Sequence, residues 1–184
     1  MSLDLSRRKP IGPFRPFRLF GMSAALILSA CNPSLNWRES RIADTDLTVM
    51  LPCKPSYHQR TVPLAGLTVT MHMTACDADG ASFAIAHARI PDASAAGQVL
   101  AQWRKTTLAN MTAASPPALA ASSLSTPAPG SLSVAAVGKR GDGGAVSLQG
   151  LWFAQGADVF HAAVYAPGIT PEMSEPFFSS LKFQ

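Results

Sequence analysis

Apolar and polar positions alternate with period two over several stretches of the chain, the pattern of strands that turn one face to a core. Leu47, Val49 and Leu51 alternate with Thr48 and Met50, and Pro52 ends the run. Residues 57–62, between Pro55 and Pro63, read as a second strand, with Ala65-Gly66 as the turn after it. The clearest pattern follows: Leu67, Val69, Met71 and Met73 fall on one face, and Thr68, Thr70, His72 and Thr74 on the other. This predicts a half-buried strand. Asp79-Gly80 is a favoured pair for a two-residue type I′ hairpin, so residues 81–90 are predicted to return as its partner. In that register His72 faces His87 and Cys76 faces Phe83.

The period then lengthens. Ala96, Val99, Leu100, Trp103, Thr107 and Met111 recur at helical spacing, with Gln102, Arg104 and Lys105 outside and Asp92 or Ser94 placed to cap. Residues 112–130 are rich in Ala, Ser and Pro and offer few large side chains to bury, which predicts a flexible connection. Strand patterns return at 132–137, 145–154 and 159–165, separated by Gly-rich turns, as in an antiparallel meander. Thr170-Pro171 and Ser174-Glu175-Pro176 both offer helix starts. Because Pro176 is tolerable only in a first turn, the terminal helix is predicted to begin near Ser174, with Phe177, Phe178 and Leu181 in the core. The expectation is one α+β domain over 47–184, a mostly antiparallel β-sheet packed by helices.

Ahead of this domain, Arg7, Arg8, Lys9, Arg15 and Arg18 stand against a single Asp4, and the apolar residues 19–30 that follow are too few to span a bilayer. Leu28-Ser29-Ala30-Cys31 then resembles the lipobox of bacterial lipoproteins, at which the Cys sulfur is acylated and the chain is cut just before it. The resemblance implies a signal peptide over 1–30, lipid on Cys31, and a tether over 31–46 leading to a domain that faces the periplasm. The alternative is an N-terminal anchor that is never cut. Ser6-Arg7-Arg8 begins like a twin-arginine signal, but Lys9-Pro10 stands where that pattern has a bulky apolar residue, so general secretion is expected. Asn32, by resemblance to lipoprotein sorting signals, favours the outer membrane.

The leader changes the reading of charge. The chain has 15 basic and 11 acidic residues, but residues 1–30 hold 5 and 1 of these, leaving ten of each beyond. The net +4 therefore belongs to the leader and gives no support for nucleic-acid binding. With Cys31 assigned to lipid, Cys53 and Cys76 remain as an even pair in a compartment where disulfides persist, and a bridge between them is expected. The alternative is two free buried thiols. Strand alternation opposes the bridge, because Cys53 shares parity with Leu47, Val49 and Leu51 whereas Cys76 shares parity with Thr74. A bulge that turns Cys76 inward, or a bridge at the sheet margin after Pro52, would resolve the conflict.

The end of the chain also carries a family resemblance. Gly150-Leu151-Trp152-Phe153, Gly156, Val159-Phe160-His161, Val164, Pro167-Gly168 and Phe177-Phe178-Ser179-Ser180-Leu181 are similar to the closing hairpin and helix of PsbP-like domains. Val49-Met50-Leu51-Pro52 resembles their opening strand. The Cys pair, and Leu181 where an aromatic residue is usual, depart from that pattern. The resemblance implies an α/β/α sandwich and a non-enzymatic accessory or binding role. The chain is also similar to small predicted lipoproteins of Gram-negative bacteria.

Candidate chemistry is sparse. His72 and His87 are the two histidines that the hairpin brings together, and His161 is on another strand. A zinc site needs three or four converging ligands, so polar-face histidines are expected and no metal or cofactor. No nucleophile elbow, phosphate-binding loop or paired carboxylates on one element is found, so no catalytic residue is assigned. Arg140-Gly141-Asp142 spells an adhesion tripeptide, but the same residues suit a hairpin turn. The expected function is that of a lipid-anchored envelope protein with a domain that binds an envelope partner. The alternative is a small envelope hydrolase or ligand-binding enzyme.

Overall fold

The computed structural model describes residues 34–111, 128–139 and 143–184. The leader, Cys31, most of the 112–130 connection and Arg140-Gly141-Asp142 lie outside the described residues. The described chain has β1 (Arg38–Arg41), β2 (Leu47–Leu51), β3 (Ser56–Leu64), β4 (Leu67–Ala78), β5 (Ala81–Arg89) and α1 (Ala96–Asn110). These are followed by β6 (Leu132–Lys139), β7 (Ala145–Gln155), β8 (Asp158–Ala166), α2 (Pro171–Ser179) and β9 (Lys182–Phe183). No helix among these residues is long and apolar enough to cross a membrane.

Six strands form one antiparallel sheet in the order β3-β4-β5-β8-β7-β6, and β1, β2 and β9 form a small one with β2 central. The fold is α+β and mostly antiparallel, as the strand patterns predict. The Asp79-Gly80 turn has both residues at positive φ, as a type I′ hairpin requires, and it pairs His72 with His87 and Cys76 with Phe83. The meander of β6, β7 and β8 also forms as expected.

Each face of the large sheet has its own core. On one face α1 sets Val99, Leu100 and Trp103 against Val69, Met71, Ala86, Ala88, Val134 and Trp152. On the other, Leu47, Val49 and Leu51 of β2 and Phe177 and Phe178 of α2 cover Phe83, Ile85, Leu151, Phe153 and Phe160. Edge-on ring contacts lock this second core, with Phe83 lying 5.7 Å from Phe177 and 5.8 Å from Trp37. The half-buried reading of β4 holds for its first half, where Val69 and Met71 are buried and Thr68 and Thr70 exposed, and is corrected for its second half. Its odd positions Val69 and Met71 face α1, while its even positions Thr74 and Cys76 are buried under the small sheet and α2.

The same fact resolves the cysteine parity. Cys53, just beyond β2, is bridged to Cys76 in β4 with Cα atoms 5.9 Å apart. The β4–β5 register runs unbroken from Met71 to Ala78, so no bulge is needed. At Thr74 and Cys76 the even face of β4 is a second interior, and the bridge ties the small sheet to the large one.

Three boundaries differ from expectation. Within the expected tether at 31–46, Arg38–Arg41 is a strand and Ile42 is core. Its Arg-Glu-Ser-Arg sequence has no apolar alternation because this edge strand is held by backbone pairing to β2. β3 continues through Pro63 to Leu64, which an edge strand tolerates because it has a neighbour on one side only. α2 begins at Pro171, not near Ser174, and keeps Pro176 in its interior. Full burial of Phe177 and Phe178 offsets the backbone hydrogen bond that Pro176 removes.

Candidate functional site: a cleft beneath the first helix

The inward stripe of α1 changes character along its length. Val99, Leu100 and Trp103 are buried, and Met111 is buried again beyond the helix end, but between them Thr106, Thr107 and Asn110 border the cleft. These short polar side chains cannot fill the space that Leu or Phe would. The sheet below contributes the small residues Ser82 and Ala86 to the lining, and its register aligns Ala75, Ala84, Ala163 and Gly150 in the row between them. A cleft of about 680 Å³ lies here, within the range of small-molecule sites.

On one side of that small row lie Met73, Ala86, His161 and Trp152, and on the other Ser82, Tyr165 and Leu148. Met73, Ala86, His161, Ser82 and Tyr165 all line the cleft. His161 is 7% exposed, and its ring stacks on Trp152 with centroids 4.1 Å apart. Trp103 meets it edge-on from α1 at 5.6 Å. Gly150 makes room for this stack. A Cβ there would stand 2.9 Å from two Trp152 ring carbons and 3.2 Å from His161 Nε2.

Neither His161 Nε2 nor Trp152 Nε1, both buried, makes a hydrogen bond to any described residue. Each such atom costs about 1–3 kcal/mol; His87 Nδ1, on the opposite face, is likewise unpartnered among the described residues, and of the three residues His161 is the one that lines the cleft. Desolvation pushes the His161 pKa down to about 3, so the imidazole is neutral at physiological pH. Burial likewise pushes the Tyr165 phenol up to about 12, keeping its proton. The cleft therefore offers a neutral ring and a phenol that can donate. Arg60, level with Met71, is the charged residue whose strand position faces α1, whereas Lys139 borders the cleft next to the inward Gly138 and falls on the outward alternation of β6.

The far end of α1 is pinned to β6, where the Lys139 N–H donates to the Met111 carbonyl at 2.7 Å. Gly138 permits this approach, because a Cβ there would stand 2.5 Å from that carbonyl oxygen.

The predicted His72 and His87 pair lies on the opposite face, with ring centroids 5.9 Å apart. His87 is buried rather than on a polar surface. It stacks on Phe160 at 4.8 Å, and its Nε2–H donates to Asp158 Oδ1 at 3.0 Å. Arg89 donates to the other oxygen of Asp158 at 2.9 Å. Among the described residues no group of three or more His, Cys, Asp or Glu is placed to hold a metal ion. His87 and His161 are both buried, against the expectation of polar-face histidines, because both faces of the sheet are covered.

Sequence reasoning passed over the His161 cleft. Its legible signals are the Thr106, Thr107 and Asn110 continuation of the helical stripe and the aligned small residues of four strands. Comparison with protein-family models, curated proteins and solved structures finds no match to this chain.

Proposed function

We propose that this protein is a lipid-anchored envelope protein, attached through Cys31 and facing the periplasm from the outer membrane, whose domain is a non-enzymatic binding module. The cleft beneath α1 is where it receives an apolar ligand. The observation that carries this reading is His161, buried, unpartnered among the described residues and set in the floor of an otherwise mostly apolar cleft. An enzyme is disfavoured by the same residue. An imidazole with a pKa near 3 is a poor general base, and no carboxylate or cysteine lines the cleft to orient it or act as nucleophile.

The PsbP-like assignment belongs to this proposal. Support comes from the order of the closing elements, an aromatic hairpin of β7 and β8 followed by α2. Ser180 stitches that ending to the start of the domain, accepting from the Met50 N–H at 2.8 Å. Support for the anchor is the basic leader and the Leu28-Ser29-Ala30-Cys31 run.

Two experiments test the two halves. N-phenyl-1-naphthylamine, an uncharged apolar fluorophore, is expected to bind residues 33–184 saturably with one site. Ala86→Leu, which fills the floor between Met73 and His161, is expected to abolish that binding while the domain stays folded. Equal binding by the variant would refute the cleft. For the anchor, intact-mass analysis is expected to show acyl chains on a chain beginning at Cys31 and their loss in Cys31→Ser; a mature unlipidated chain beginning elsewhere would refute it.

A further inference from the structure

The six-stranded sheet has two open edges, β3 and β6, and they are built differently. The large apolar side chains left exposed among the described residues, Tyr57 and Val137, lie one on each. β3 carries Arg60 and Pro63, a charge and a proline of the kind that keeps edge strands from pairing. β6 has neither from Leu132 to Gly138, and its register to β7 runs unbroken. The direction of its main-chain groups follows from the turn between β7 and β8. Gln155 and Asp158 close that two-residue turn and exchange both hydrogen bonds, so the odd residues of β7 bond to β8 and its even residues to β6. The even residues of β6 therefore bond to β7, and Ser133, Ala135, Val137 and Lys139 direct their N–H and C=O groups away from the sheet. Lys139 bears this out, since its N–H reaches beyond the sheet to the Met111 carbonyl. The outward groups of Ser133, Ala135 and Val137 have no main-chain partner among the described residues.

We infer that this edge pairs with the same edge of a second copy of the chain. Antiparallel pairing about a two-fold axis at Ala135 sets Ser133 opposite the second copy's Val137, Ala135 opposite its own counterpart, and Val137 opposite the second copy's Ser133. Every open residue of both strands is then paired, and each exposed Val137 gains a neighbour. Moving the axis to Val137 calls on the Lys139 N–H that Met111 already holds, and moving it to Ser133 calls on Ser131, which precedes the strand. The intervening pairs are Val134 with Ala136 and Leu132 with Gly138, so no charge opposes the contact. The same arrangement about Gln59 of β3 would set each Arg60 against a His58 and is disfavoured. One strand pair buries less than the roughly 1,200–2,000 Å² of a standard interface, so half-dimerisation on the order of 0.1–1 mM is expected.

Residues 33–184 form one compact unit with both cores and the disulfide. The test is sedimentation equilibrium of that unit from about 10 µM to about 1 mM, with amide hydrogen exchange read by NMR at both ends of the range. Dimer is expected to grow with concentration, and exchange at Ser133, Ala135 and Val137 to slow about two- to five-fold at the upper end. Tyr57, Gln59 and Thr61, which point outward from β3 by the same rule at the Ala65-Gly66 turn, are expected to exchange equally fast throughout. Ala135→Lys and Ala135→Glu each set like charges opposite one another across the axis, and each is expected to stay monomeric, whereas their equimolar mixture dimerises. Protected amides at Val134 and Ala136, bonded to β7, report that each variant keeps its fold. Gln59→Lys is expected to associate like the parent. A parent that is monomeric throughout would overturn the second copy, and slow exchange at Ser133, Ala135 and Val137 in that monomer would assign the edge to residues 112–127 of the same chain. Dimer that persists in Ala135→Lys, is not restored by the mixture, or is lost in Gln59→Lys would overturn the assigned edge.

Discussion

His161 concentrates what is unusual about this domain. It sits between two tryptophans, and its pKa near 3 means that the folded state refuses a proton that the unfolded chain accepts at about 6.5. Its folded pKa lies below the unfolded one, so its neutral burial costs nothing well above pH 6.5 and destabilises progressively as pH falls from there toward 3. Between pH 7 and pH 5 this amounts to about 2 kcal/mol. Denaturant unfolding at the two pH values should therefore show a drop larger by that amount in the parent than in His161→Phe; parallel pH profiles would contradict the buried neutral ring. Gly150→Ala probes the same stack from below. The added methyl meets rigid ring atoms of Trp152, and a loss of about 1–3 kcal/mol in unfolding free energy is expected. His161 is a lone polar residue in the otherwise apolar run 159–164, which signals burial but not the two tryptophans that surround it.

At the scale of elements, the hairpin of β4 and β5 was fully legible, since Asp79-Gly80 fixes both the turn and the register. The position of Cys76 was not, because alternation reports which residues share a face and not how many faces are covered. Threonines on the even positions of β4 look like a solvent face, which is right for Thr68 and Thr70, yet Thr74 is buried beneath the small sheet and α2. The disulfide there closes a 23-residue separation, and by chain entropy replacing both cysteines with Ala should cost about 3 kcal/mol in thermal or chemical unfolding. Little change would mean that the two sheets hold together without it. The helical stripe of α1 was legible from Val99 to Met111, both buried in the same core, but not the gap that opens past Trp103 on the side of Thr106 and Asn110. Trp103→Ala should cost about 3 kcal/mol, at the low end for a buried Trp because one side of the ring already borders open space. β1 escaped notice for the opposite reason, as its polar residues carry no pattern and only its pairing with β2 makes it a strand.

For the whole molecule, the division into two cores sets the division of labour. The face under β2 and α2 is filled by aromatic rings, closed by the disulfide and built for stability. The face under α1 keeps small residues on its floor and Thr and Asn on its roof, and remains open. The α+β architecture follows from the sequence pattern, but the binding face does not. A cleft is made by what several distant elements fail to fill, and no single stretch of chain records it. The most direct test is the nitrogen NMR spectrum of the imidazoles of residues 33–184 during titration with N-phenyl-1-naphthylamine. The His161 resonances should shift and saturate at one equivalent, while His72 and His87, on the opposite face, stay in place. A titration that moves His72 and His87 and leaves His161 unmoved would contradict the account.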